Sequence, residues 1–227
     1  MRTIIVTGAA GNLGRAVVQK FLREGWRVVG TINRERAGTE NHENLSLVAL
    51  DLMDEAASRQ FIVEMIEKYG RIDALVATVG GFTTGSIAES GIAEIYGQLR
   101  LNFDTAYNVA RPCFGQMMQQ KQGRIFLVAS RPGLEAHEGE GMVGYGLAKS
   151  LIVRTAQLMN IEAKGIDVVT AALVPGTIDT PQNRESMPGK DFKSWVKPEA
   201  IANVISFYCS KEASDIREPV IKIYNNA

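Results

Sequence analysis

The stretch "TIIVTGAAGNLGRAVVQKF", residues 3–21, sets the architecture of the chain. Apolar and β-branched residues at Thr3–Val6 predict a strand covered on both faces. Glycines at 8, 11 and 14 mark a tight turn. Leu13, Val17 and Phe21 then recur at helical spacing and give one apolar stripe, enough to dock a helix on a sheet.

The same alternation runs outward from this unit. "WRVVGTI" (Trp26–Ile32), "LSLVAL" (Leu45–Leu50), "IDALVA" (Ile72–Ala77), "RIFLVAS" (Arg124–Ser130), "DVVTAALV" (Asp167–Val174) and "VIKIY" (Val220–Tyr224) all read as strands. Helical patterns separate them. One carries Ala57, Phe61, Met65 and Tyr69, with Asp54 as N-cap and Gly70 just past its end. The pattern predicts an α/β fold, a doubly wound seven-stranded parallel sheet between two helical layers. No repeat, low-complexity segment or linker breaks residues 1–227, which read as a single domain.

Composition narrows the function classes. Of 227 residues, 45% are hydrophobic and 22% charged, with 25 basic side chains against 25 acidic ones, so nothing draws the chain to nucleic acid or an anionic membrane. No apolar run is long enough to span a bilayer, and the amino-terminal run ends in a glycine turn instead of a cleavage site; a cytoplasmic protein is expected. Cys113 and Cys209 lie far apart in helical patterns and read as buried thiols of a reducing compartment. His42 and His137 lack neighbours at metal-ligand spacing, so no metal site is expected.

The glycine turn suits a dinucleotide. Gly8, Gly11 and Gly14 let a pyrophosphate approach the main chain, and the helix after them presents unpaired N–H groups at its positive end. Asn33 and Arg34, at the end of the second strand, replace the acidic residue that would hold the ribose hydroxyls of NAD and repel a 2′-phosphate. NADP(H) is therefore favoured and NAD(H) remains possible, since Arg34 or Arg36 could equally be solvated surface charge. Asp51, ending the third strand, could accept a bond from the adenine amino group; the alternative is that Asp51 or Asp54 simply caps the next helix.

"YGLAK" places Tyr145 and Lys149 one helical turn apart. With that pair the chain resembles the short-chain dehydrogenase/reductase family over nearly its entire length. The elements come in the family's order: "TGAAGNLG", "DL" at Asp51, "LVATVGG", Asn102 in "LRLNFDTA", "GRIFLVAS" ending at Ser130, "YGLAK", and "LVPGTIDTP". The resemblance implies a Rossmann-type fold, with Tyr145 as the acid or base, Lys149 lowering its pKa and binding the nicotinamide ribose, Ser130 holding the substrate oxygen, and Asn102 supporting a water. It places Gly8, Ala10, Gly11, Asn12, Leu13, Gly14, Asn33, Arg34, Asp51, Leu52, Thr78, Gly80, Pro175, Gly176, Thr177, Ile178 and Thr180 on the cofactor.

Some segments depart from the family. Ala77, Thr78, Val79 and Gly80 stand where an "NNAG" is common, and "IKIYNNA" lacks the usual glycine pair. "GMVGYGLAK", "VGGFTTG" and "TIDTPQNRESMPGKDFKSW" are similar to the dihydropteridine reductase branch, although Asn33 replaces an acidic residue there and Ser130 is present where that branch manages without a serine. Carbonyl/alcohol chemistry leads, with pterin reduction as the alternative and a non-catalytic dinucleotide sensor behind both. The polar stretch at about 176–196 reads as a lid. Apolar residues surround most of the Tyr145 helix and predict a second packing partner, giving a homodimer or homotetramer through the helices containing Asn102 and Tyr145.

Overall fold

The computed structural model describes residues 1–33 and 42–226. Its strands are β1 (Thr3–Thr7), β2 (Arg27–Ile32), β3 (Leu45–Ala49), β4 (Ala74–Ala77), β5 (Gln122–Val128), β6 (Asp167–Pro175) and β7 (Val220–Ile223). They form one sheet in the order β3-β2-β1-β4-β5-β6-β7, parallel throughout. The helices are α1 (Asn12–Arg23), α2 (Glu55–Tyr69), α3 (Ile92–Leu99), α4 (Thr105–Gln120), α5 (Arg131–Leu134), α6 (Val143–Glu162), α7 (Pro181–Ser186) and α8 (Pro198–Tyr208).

Alternation of side chains along the strands divides the core in two. Ile5, Leu75 and Ile125 face α2, α4 and α6, packing on Phe61, Ile62, Val109, Met117 and Ile152. Ile4, Val6, Val76 and Phe126 face α1 and α8, packing on Val17, Phe21, Ile201 and Ile205. The expected strands all form, with shifted ends. β5 begins at Gln122 because Gln122 and Gly123 already pair with Asp167 and Val168. Ser130 falls beyond β5 and becomes the residue before α5.

Asp54 caps α2 as its sequence predicts, accepting from the Ala57 N–H at 2.9 Å, and Gly70 closes the helix at φ 78°. Asp51 instead accepts from the Met53 N–H at 2.9 Å and stays exposed. The helical cap therefore belongs to Asp54. Between α3 and α4 the chain makes a π-helical turn, Arg100–Asp104, in one continuous helical path. Among the described residues no helix is long and apolar enough to cross a membrane.

Candidate active site

The sheet order reverses between β1 and β4, and in open α/β sheets ligands bind at the carboxyl ends of the strands at such a point. Gly8 takes φ +63°, and its carbonyl accepts from the Gly11 N–H at 2.8 Å. A Cβ on Gly14 would lie 2.2 Å from the Gly8 carbonyl oxygen, so α1 can pack this closely on the turn only with glycine there. No side chain caps α1 and its first turn holds no acidic residue. Its first N–H groups, beyond reach of any intrahelical partner, keep their positive end for a ligand. An uncapped helix end on a glycine turn fits the pyrophosphate of a dinucleotide.

Around this turn, Asn33 is exposed at the end of β2, while Arg34 and Arg36 lie outside the described residues. Leu52 is buried, its carbonyl accepting from Asn108 Nδ2 at 2.9 Å. Thr78 clamps the end of β4 to β1, its N–H donating to Thr7 Oγ1 (3.1 Å) and its hydroxyl to the Thr7 carbonyl (2.7 Å).

The π-helical turn brings Asn102 inward. The residue is 1% exposed; its Oδ1 accepts from the Gly81 N–H at 3.1 Å and its Nδ2 donates to Gln98 Oε1 at 3.1 Å. A Cβ on Gly80 would meet Asn102 Oδ1 at 2.6 Å and Lys149 Nζ at 3.2 Å. Gly80, Asn102 and Lys149 thus converge on one small space.

Lys149 is buried and its Nζ donates to the Val128 carbonyl at 2.8 Å, 5.8 Å from the centre of the Tyr145 ring. Loss of water around the amine pulls its pKa down to about 8. Burial pushes the Tyr145 phenol above its usual value, and the Ser130 hydroxyl beside it pulls the other way. The Lys149 amine is turned to the β5 carbonyl. The Ser130 hydroxyl is buried beside the Tyr145 phenol and meets no other hydrogen-bond partner among the described residues. A buried polar group with unused hydrogen-bonding capacity costs free energy and marks a place for a ligand atom. This constellation can donate a hydrogen bond and a proton to one oxygen.

At the end of β6, Pro175 is buried and the Gly176 N–H is taken by the Ile223 carbonyl at 2.9 Å. Thr177 and Ile178 run beside Val196. Thr180 caps α7 through its hydroxyl oxygen, which accepts from the Asn183 N–H at 3.2 Å. The 176–196 stretch is folded, with α7 tied down by Arg184 pairing with Asp179 at 2.5 and 2.8 Å. Asn12 Nδ2 donates to Gln182 Oε1 at 2.7 Å, linking the start of α1 to α7.

Two juxtapositions escaped sequence reasoning. Phe82 stacks edge-to-face with Tyr145, ring centres 5.2 Å apart. Glu135, His137 and Glu138 bring potential metal-ligating atoms within 4.8 Å of one another, a local spacing that was there to be read. Their carboxylates are already engaged, Glu135 by Lys222 at 2.7 Å and Glu138 by Arg131, so a cation would have to displace existing ion pairs.

Comparison with known proteins follows this geometry. The family model described as short chain dehydrogenase matches residues 2–191. A 3-oxoacyl-[acyl-carrier-protein] reductase of Thermotoga maritima is 26% identical, covering 98% of this chain and 96% of its own. A sorbitol dehydrogenase of Cereibacter sphaeroides is 31% identical, covering 78% of this chain and 71% of its own. Among solved structures, a putative short-chain dehydrogenase/reductase from Burkholderia xenovorans superposes with a TM-score of 0.86 at 25% identity, covering 99% of this chain and 95% of that one.

Proposed function

Since this chain belongs to the short-chain dehydrogenase family, a family of NAD(P)-dependent oxidoreductases, we propose that it interconverts a carbonyl compound and its alcohol, with Tyr145 as the proton donor and acceptor. The observation that carries this reading is the meeting of the buried Ser130 hydroxyl, the Tyr145 phenol and the Lys149 amine beside the glycine turn. Relatives named as a reductase of an oxo group and a dehydrogenase of an alcohol support the same chemistry.

Gly8 and Ala10–Gly14 would hold the pyrophosphate, Asp51 and Leu52 the adenine side, and Thr78, Gly80, Tyr145 and Lys149 the nicotinamide ribose. Pro175, Thr177, Ile178 and Thr180 would line the carboxamide, with Gly176 contributing backbone contact other than its engaged N–H. The exposed neutral Asn33 favours NADP(H) over NAD(H), because no carboxylate there repels a 2′-phosphate. A reduced nicotinamide held there would supply the hydride. Ser130 donates a hydrogen bond to the carbonyl oxygen, which polarises it. Tyr145 gives that oxygen its proton, and in the oxidative direction takes it back. Lys149, held at Val128, places positive charge near the phenolate that results. Asn102 orders the backbone at Gly81 and closes the polar pocket below Gly80.

The folded 176–196 stretch, reaching the start of α1 through Gln182, serves as the lid. Leu147, Leu151, Leu158 and Ile161 remain exposed on α6, with Tyr107 on α4, and support a homodimer or homotetramer through these helices. The 178–195 segment keeps quinonoid dihydropterin as a second substrate class. The test is oxidation of NADPH and NADH, followed by nicotinamide absorbance, against a panel of ketones, diketones and quinonoid dihydrobiopterin. Turnover of none of them would overturn the reading; turnover of the pterin far above every ketone would select the second.

A further inference from the structure

Phe82 is the aromatic side chain that touches Tyr145, yet it is 58% exposed. Its backbone is nonetheless anchored on both sides. On one side the Gly81 N–H donates to the buried Asn102 Oδ1 at 3.1 Å, and a Cβ on Gly81 would lie 2.6 Å from Leu101 Cδ2, so the backbone rests on the π-helical turn. On the other side the Gly85 N–H donates to the Gly141 carbonyl at 2.7 Å and the Gly85 carbonyl accepts from the Val143 N–H at 3.1 Å. A parallel bridge between Gly85 and Met142 results, joining the loop to the residues that lead into Tyr145.

The ring is therefore held on two anchors at an interplanar angle of 85° to the phenol. Tyr145 covers part of it, and the remainder is apolar π-surface open to solvent next to the proposed proton donor. Leaving such surface in water is unfavourable unless something covers it. A substrate whose reacting oxygen meets Ser130 and Tyr145 would bring its substituent there, and a flat ring gains an offset or edge contact that a flexible alkyl chain does not.

We propose that Phe82 is a specificity-determining residue that selects substrates carrying a flat, π-faced group next to the reducible bond. The inference rests on the carbonyl-reducing reading of the site. Its shared chemistry fits both an aryl ketone and a planar pterin ring, which the experiment separates.

The experiment compares wild type, Phe82→Ala, Phe82→Leu and Phe82→Tyr on 1-phenyl-1,2-propanedione, 2,3-heptanedione and quinonoid dihydrobiopterin. NADPH affinity is measured alongside by fluorescence titration. Wild type should prefer the phenyl diketone to the alkyl diketone. That ratio of kcat/KM should fall about five-fold or more in Phe82→Ala and Phe82→Leu, the scale of one aromatic pair, and return in Phe82→Tyr. A matching fall for the pterin alone, with no effect on the phenyl diketone, would identify the pterin as the flat group. Equal losses on aryl and alkyl substrates, or a parallel loss of NADPH affinity, would overturn the inference while leaving the carbonyl chemistry standing. If wild type turns over none of the three, the proposed function fails for these substrates, and saturation-transfer NMR of 1-phenylethanol with the NADP⁺-loaded protein decides Phe82 separately. Transfer to the phenyl protons that is lost in Phe82→Ala supports its role; equal transfer in both proteins refutes it.

Discussion

The Lys149 amine donates to the Val128 carbonyl across 2.8 Å, from a residue that is only 4% exposed. That bond holds the cation under the β5 end even without a ligand, but one carbonyl does not replace the lost hydration. The amine pKa drops from 10.5 to about 8 as a result. The sign of the stability effect follows. Below about 8 the amine is charged in both folded and unfolded chains and the burial cost is fully present. Between about 8 and 10.5 the folded chain releases its proton first and the cost is relieved. Relative to Lys149→Met, wild type should therefore gain stability on going from pH 7 to pH 10, by up to about 3 kcal/mol. Urea unfolding of both proteins at the two pH values measures it; a constant difference would show that the amine is not perturbed.

Tyr145→Phe removes the proton donor but keeps the ring against Phe82. Turnover should fall at least ~10²-fold, the usual contribution of a positioned general acid, while NADPH binding changes little. Steady-state kinetics paired with fluorescence titration distinguishes this from misfolding. Undiminished turnover would remove Tyr145 from the chemistry.

Gly14→Ala would drive a methyl group to 2.2 Å from the Gly8 carbonyl oxygen. Backbone lies on both sides of the clash, so α1 must move off the turn. Loss of about 1–3 kcal/mol of stability is expected, with dinucleotide affinity falling at least about ten-fold. Thermal melts and titration with NADPH report the two effects separately.

Asn33→Asp places a carboxylate at the end of β2, where it can accept from ribose hydroxyls and repel a 2′-phosphate. The ratio of kcat/KM for NADPH over NADH should drop by about ten-fold or more, equivalent to about 1.4 kcal/mol. No change in that ratio would separate cofactor choice from this position.

Leu158→Glu and Ile161→Glu put charges on the open face of α6, where these side chains are 51% and 71% exposed. Neither change disturbs the packed face of Ile152, Ala156 and Met159. Light scattering should show a larger species in wild type dissociating in the double variant. An unchanged mass in both would remove this face from any assembly.

The sheet was legible because its strands are continuous apolar runs separated by amphipathic patterns, and this period survives any detail of packing. The ends of α2 were legible for a local reason: Asp54 and Gly70 act within their own turns. Asp51 could not be separated from Asp54 by sequence, since both can accept a nearby N–H; only the hydrogen bond to Met53 tells them apart. The Phe82 contact was hidden because it depends on Gly85 meeting Met142, some sixty positions away. The place of the Lys149 amine was hidden for a similar reason. Helical spacing brought the amine near the phenol, but the backbone of another element captured it.

The single wide turn at Arg100–Asp104 acts as a one-residue spacer in an otherwise regular rod. Deleting one position from it would restore uniform winding and shift the side chains within that turn around the helix axis. The amide now supporting Gly81 would swing out of line, and the loop bearing Phe82 would lose a footing. The extra residue at this spot thus sets where the Asn102 amide meets the loop bearing Phe82.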